Sequence, residues 1–280
     1  ETLEQFRRRA LKRKSIRECF DGIKLMCNAG SVEDVERAIR AGAAGIGLFR
    51  SEFIYMAGTR LPDEEEQYSV YAAAAELCGA RPLTIRTLDI GADKGLPYMT
   101  LPAEENPNLG IRGIRFCLKN PELFKTQLRA ILRASARGKV KIMLPMVCLR
   151  EEIVGTRTLL EECMRELDER SLPYNKDIEL GIMIETPAEA SELAELCSFF
   201  SIGTNDLSQY IMAADRGNSA CSAFCDYRHP AVLKAISMTV EAAHQHGIEC
   251  GMCGEMASDS SQASLLKSLG LDYLSVNRLD

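Results

Sequence analysis

The chain's 280 residues, 46% of them hydrophobic and 26% charged, can bury one large core and fall in the ordinary globular range, which excludes a disordered or low-complexity protein. A formal net charge of −6 leaves no basic excess for nucleic acid or an anionic membrane surface, and no stretch reaches the roughly 18 to 20 apolar residues that a bilayer span requires. The 11 cysteines are scattered, with no apolar leader ahead of them and no disulfide-like spacing, so a cytoplasmic protein with reduced thiols is expected.

Residues 1–22 carry Leu3, Phe6, Ala10 and Leu11 at near-helical spacing among Arg7, Arg8, Arg9, Lys12, Arg13 and Lys14. One apolar face on an otherwise charged helix predicts a solvated connector rather than a nucleic-acid arm. From Ile23 onward, apolar runs of strand length alternate with longer segments of helical period, the pattern of repeated βα units and a parallel sheet. The predicted strands are Ile23–Cys27, Gly45–Phe49, Leu83–Leu88, Val140–Leu144, Leu180–Ile184, Phe199–Ile202, Glu249–Met252 and Tyr273–Val276. Between them, helices are predicted at Ser31–Ala41, opened by a Ser-x-x-Asp capping pattern, and at Asp63–Leu77, with an acidic first turn. Further helices are predicted at Pro121–Ala136, Glu151–Glu169, Ala188–Leu196, Pro230–His246 and Ser260–Leu269. Eight strands with no internal linker, and no Gly-x-Gly-x-x-Gly loop after the first, favour one closed (β/α)8 TIM barrel over residues 23–280 rather than an open doubly wound sheet.

In such barrels the chemistry collects at the C-terminal ends of the strands. Here those ends carry Arg50–Ser51–Glu52, Arg86–Thr87–Leu88–Asp89, Glu185–Thr186–Pro187, Gly203–Thr204–Asn205–Asp206 and Cys253–Gly254–Glu255, beyond strand bodies that stay apolar. A structural ion pair explains any one of these but explains all five together poorly. Arginines that grip phosphate or carboxylate in a fork imply an anionic substrate. Glu185 and Asp206 offer the hard oxygen donors that Mg2+ prefers when a substrate phosphate supplies further ligands. Cys253 can exchange a proton near neutrality. The Cys250-x-x-Cys253 spacing lies on a predicted strand with no second ligand pair, so redox and zinc readings give way. His229, His244 and His246 fall at the start and end of one predicted helix and are expected to be structural.

These segments resemble the C-terminal domain of enzyme I of the bacterial sugar phosphotransferase system, the phosphoenolpyruvate–protein phosphotransferases. The resemblance runs through Gly45–Phe53, Arg86–Lys94, Asn106–Arg112, Ile184–Pro187, Phe200–Leu207, Asp215–Asn218 and Gly251–Glu255, in that order. Pyruvate phosphate dikinase and phosphoenolpyruvate synthase share the barrel and several motifs, but Asp89–Lys94 and Gln209–Tyr210 look more like enzyme I. The resemblance implies that Arg50, Arg86 and Arg112 hold the phosphate of phosphoenolpyruvate, Glu185 and Asp206 bind Mg2+, and Arg216 with Asn205 holds the carboxylate. It implies that Cys253 protonates the enolate carbon to give pyruvate. It further implies a phospho-accepting histidine on a separate N-terminal domain, a small phosphocarrier protein downstream, and a homodimer. No acceptor histidine is evident in this chain, the family continues into a final helix beyond the point corresponding to Asp280, and the segment between Glu185 and Asn205 is a few residues short. A module that senses phosphoenolpyruvate without turnover is the alternative class of function. The intact Arg50, Glu185, Asp206 and Cys253 argue against it.

Overall fold

The computed structural model describes residues 16–20, 22–91, 96, 98, 99, 102–188 and 190–279. Most of the connector helix expected over 1–22 lies outside the described residues, as does Asp280; of that helix, Ile16–Cys19 is described and is helical.

Eight parallel strands close on themselves in sequence order: β1 (Lys24–Ala29), β2 (Ile46–Arg50), β3 (Leu83–Arg86), β4 (Val140–Leu144), β5 (Glu179–Ile184), β6 (Phe199–Gly203), β7 (Glu249–Cys253) and β8 (Tyr273–Val276). Closure is made by β1 against β8, with Lys24 opposite Tyr273 and Cys27 opposite Val276. All eight predicted strands are present, with ends shifted by a residue or two. The first two predicted helices start where their N-terminal signals place them. Ser31 accepts from the Asp34 amide before the helix Val32–Arg40, and Asp63 with Glu66 forms a reciprocal capping box before Glu64–Cys78.

Four short helices were not predicted: Glu52–Met56, Ile114–Lys119, Thr204–Met212 and Glu255–Ser258. Each is too short, or too polar in its first turn, to show a helical period in sequence. Two predicted helices are shorter than expected. Ala188–Leu196 contracts to Ala190–Ala194, and Ser260–Leu269 opens as a 3-10 turn before Ala263–Ser268.

The core has two parts. Side chains on the outer faces of the strands, such as Ile142, Leu144, Ile182, Ile184, Met252 and Leu274, pack under the helices, while Leu48, Met143, Met183, Phe199 and Cys253 form a separate cluster. Strand alternation makes that second cluster the barrel's own filling. Low in the barrel Tyr273 lies so close to Gly251 that a Cβ there would meet the ring at 2.1 Å, so that position excludes a side chain. The start of β4 is closed by Lys141, whose Nζ lies 2.6 Å from Glu179 and 5.0 Å from the centre of the Phe199 ring. With its interior packed, the barrel can present a ligand site only at the strand ends.

Candidate active site

Arg50, Arg86, Glu185, Asn205, Asp206, Arg216 and Cys253 all line one cavity of about 300 Å³ at the C-terminal mouth. Arg112, the remaining predicted residue, stands beside it, held to Asp206 from one side and to Asp89 from the other. Seven of the predicted residues are therefore brought together directly, and the eighth through a carboxylate.

The arginines differ in how they are satisfied. Arg50 ends β2 with its guanidinium 5.0 Å from the centre of the Phe53 ring, and its buried Nε finds no hydrogen-bond partner among the described residues. Arg86 ends β3, is 5% exposed, donates to Glu52 and lies 3.3 Å from Asp89, while its Nε is likewise unpartnered. Arg112 Nη2 lies 3.2 Å from both oxygens of Asp89, and Nη1 lies 3.2 Å from Asp206 and 3.3 Å from the Tyr210 hydroxyl. Burial alone would make Arg86 and Arg112 easier to deprotonate, but the surrounding carboxylates outweigh it and lock both in the charged form. Arg216, on the loop after the helix Thr204–Met212, is the most exposed of the charged set at 38% and reaches Asp206 at 3.4 Å.

The carboxylates are set by backbone. Glu185, directly after β5 and 1% exposed, accepts from the Met146 amide at 2.8 Å. Met146 takes a left-handed backbone, φ 60°, a strained conformation for a non-glycine residue that aims its N–H at the carboxylate. Burial, then the charges of Asp206 and Asp89, push the Glu185 pKa up, against the pull of Arg86 and Arg112. Asp206 is held on the first turn of the helix Thr204–Met212, which follows β6 without a break.

Cys253 is the last residue of β7 rather than the first residue past it. Burial pushes its thiol up to about 11, so it is protonated at neutral pH and suited to donate rather than accept a proton. Cys250 lies three residues away on the same strand, hence on the opposite face. It belongs to the outer core while Cys253 belongs to the barrel filling, and the Cys-x-x-Cys spacing brings no two thiols together. Gly254, at φ 94°, turns the chain so closely past Thr204 that a Cβ would lie 2.5 Å from its hydroxyl, and the Glu255 amide then donates to Asn205 at 3.1 Å.

None of the three histidines lines the mouth. His229 caps the helix Pro230–Gln245, His244 pairs with Asp272 at 3.1 Å, and His246 lies 3.0 Å from the Ala242 carbonyl. Among the described residues, no cluster of three or more His, Cys, Asp or Glu side chains forms a metal cage, and no helix is long and apolar enough to cross a membrane.

Sequence reasoning placed Glu52 and Asp89 at the strand ends but gave them no role. The signal was present, because a buried arginine needs a counter-charge and each of these acids stands in the same strand-end segment as Arg50 or Arg86. Tyr210 entered the family resemblance without its contact to Arg112, and Met146 carried no usable signal because its part depends on a backbone angle.

The sequence profile described as PEP-utilising enzyme, PEP-binding domain, matches residues 7–280. Proteins named phosphoenolpyruvate-protein phosphotransferase from Buchnera aphidicola and Staphylococcus carnosus are 46% and 47% identical over 92% and 91% of this chain. The chain spans 46% and 45% of those two proteins, about half of each. A solved HpcH/HpaI aldolase/citrate lyase family protein from Burkholderia cenocepacia superposes with a TM-score of 0.51 at 16% identity, covering 93% of this chain and 91% of its own; that likeness speaks for the barrel alone. With the profile covering nearly its whole length and the strand-end motifs gathered at one mouth, the chain belongs to the family of PEP-binding domains of phosphoenolpyruvate-utilising enzymes.

Proposed function

We propose that the mouth binds phosphoenolpyruvate with Mg2+ and passes the phosphoryl group to a histidine outside the barrel, leaving pyruvate. The observation that carries this reading is the placement of Arg86 and Cys253. They end β3 and β7, four strands apart in a ring of eight, yet line the same cavity. A three-carbon ligand between them meets guanidinium groups at one end and a protonated thiol at the other.

Glu185 and Asp206 fit Mg2+ by their donor chemistry. Both are hard oxygen donors on one cavity, and the like-charge pressure that Asp206 puts on Glu185 is relieved by a cation. Two carboxylates are enough, because Mg2+ keeps waters and shares substrate oxygens. When bound, it would neutralise charge on the phosphate and on the departing enol oxygen.

The protein's own groups do the rest. Arg50 and Arg86, with Arg112 behind Asp206, hold the phosphate for in-line attack, and Asn205 and Arg216 hold the carboxylate. The bond between phosphorus and the enol oxygen breaks as the acceptor nitrogen attaches to phosphorus. The enolate carbon then takes the proton of the Cys253 thiol, giving pyruvate and a thiolate that regains a proton from solvent. Phosphoryl transfer asks little covalent chemistry of a protein, so a site made of arginines and carboxylates suits it.

The acceptor on this reading is a histidine of an N-terminal domain, which hands the group to a small phosphocarrier protein. The protein acts in the cytosol as a homodimer, with residues 1–22 connecting that domain to the barrel over 23–280. Support comes from the absence of any histidine at the mouth and from curated relatives about twice as long. The test is to incubate the chain with labelled phosphoenolpyruvate and Mg2+, with and without a histidine-bearing N-terminal domain of an enzyme I. Label should reach that domain when it is present, weakly because the two are untethered, and no histidine of this chain should be stably labelled. Stoichiometric label on His229, His244 or His246 would contradict the reading.

A further inference from the structure

We infer that Gln127, which takes no part in the site described above, is a positioning residue for its phosphate-gripping side. The inference rests on the phosphoenolpyruvate reading and deepens it.

The need for such a residue comes from the sheet. β2 pairs with β3 up to Arg50 opposite Arg86, and there the backbone ladder between them stops. The next residues, Ser51 and Glu52 on one side and Thr87 to Asp89 on the other, leave the sheet while carrying the charges that must stay in register. The Thr87 amide continues the ladder on the other side only, donating to the Met143 carbonyl of β4.

Gln127 supplies the missing cross-link. It sits on the helix Pro121–Ala134 with no solvent exposure. Its Oε1 accepts from the Leu88 amide at 2.9 Å, and its Nε2 lies 3.0 Å from Ser51 Oγ and 3.1 Å from the Tyr71 hydroxyl. The orientation of the amide follows from the chemistry. A backbone N–H can only donate, so the carbonyl oxygen must face Leu88, and the two hydrogens of the NH2 group are then matched by two hydroxyl oxygens. One buried side chain therefore ties the residue after Arg50 to the strand-three segment between Arg86 and Asp89.

Outward from that tie, the geometry fixes the spacing of the two guanidinium groups. Arg86 bridges to Glu52 across the same gap, and the Arg50 guanidinium lies over Phe53. The Arg216 and Asn205 side of the mouth hangs on β6 and its helix and has no bond to Gln127. Loss of the glutamine should thus loosen the grip on phosphate and spare the grip on carboxylate. A merely structural role would not make that distinction.

The experiment is calorimetric titration of the chain with phosphoenolpyruvate and, separately, with oxalate, a dicarboxylate lacking phosphate, both with Mg2+. The variants are Gln127→Met and Ser51→Ala, and Ser135→Ala is a buried-polar control at the end of the same helix. Gln127→Met is expected to bind phosphoenolpyruvate about tenfold more weakly while oxalate stays within about twofold, since small misplacements of gripping groups are costly. Ser51→Ala, which removes one arm of the tie, should move the same way by less, and Ser135→Ala should leave both affinities unchanged. If Gln127→Met does not fold, Ser51→Ala decides the matter by the same ratio. Equal weakening of the two ligands, or unchanged phosphoenolpyruvate affinity, overturns the positioning role. Failure of the unsubstituted chain to bind phosphoenolpyruvate at all would overturn the underlying reading instead, and this one with it.

Discussion

Two clusters of arginine and carboxylate, built from the same residue types, behave in opposite ways. On the outside of the barrel Glu64 accepts from Arg129 at 2.7 Å and from Arg133 and Arg170 at 2.9 Å, while Arg129 also reaches Glu166 at 2.8 Å. Burial would raise the Glu64 pKa, yet hydrogen bonds from Arg170, Arg129 and Arg133 outweigh it and hold it at about 2. At the mouth, Glu185 is pushed the other way, by burial and by Asp206 and Asp89, although Arg86 and Arg112 stand near. The outer cluster is saturated and ties three helices together. The mouth keeps unspent capacity: orphaned Nε atoms on Arg50 and Arg86 and a carboxylate under like-charge pressure. Satisfaction of the charges, more than their number, separates an architectural network from a binding site.

The largest effect should come from Cys253→Ala. With the histidine-bearing domain supplied, pyruvate release should fall by about 100-fold or more, the usual worth of a positioned acid, while phosphoenolpyruvate binding changes little. A pyruvate assay alongside calorimetry separates the two, and unimpaired turnover would take Cys253 out of the mechanism.

Paired lysine substitutions sharpen the contrast directly. Arg86→Lys should weaken phosphoenolpyruvate binding by about tenfold or more, because a point charge cannot replace a planar fork between Glu52, Asp89 and a phosphate. Arg129→Lys, in the outer cluster, should cost about 1 kcal/mol of stability or less and leave ligand affinity alone. Urea unfolding and titration of both variants would show whether the two clusters really divide the work this way.

The smallest effect concerns pH. A carboxylate whose folded pKa is depressed contributes stability above its unfolded value of 4.5 and loses that contribution as pH falls toward about 2. Glu64→Gln should therefore flatten the acid limb of the stability curve between those values and leave phosphoenolpyruvate affinity at neutral pH unchanged. Acid unfolding midpoints identical to those of the unsubstituted chain would mean that the outer cluster carries no such linkage.

The barrel was legible because its strands are apolar runs bounded by turn chemistry and two of its helices announce their starts through the capping side chains of Ser31 and Asp63. The strand-end charges were legible for the same reason: Arg50, Glu185 and Asp206 break abruptly from apolar strand bodies. What stayed hidden depends on packing. Thr204–Met212 shows no helical period in the sequence because its first turn is spent on Thr204, Asn205 and Asp206. Gln127 looked like one more polar residue in an amphipathic helix, since a sequence does not show which side of that helix faces the gap between β2 and β3. Roles drawn from the family resemblance, the split of the arginines between phosphate and carboxylate among them, go beyond what spacing alone carries.

The central claim is that the mouth is a metal-dependent phosphoenolpyruvate site, and calorimetric titration of phosphoenolpyruvate into the chain with Mg2+ and again with a chelator tests it most directly. One saturable site per chain in Mg2+, abolished by the chelator and sharply weakened by Glu185→Gln or Asp206→Asn, is the predicted result. Equal affinity with and without the metal, or affinity untouched in both variants, would contradict it.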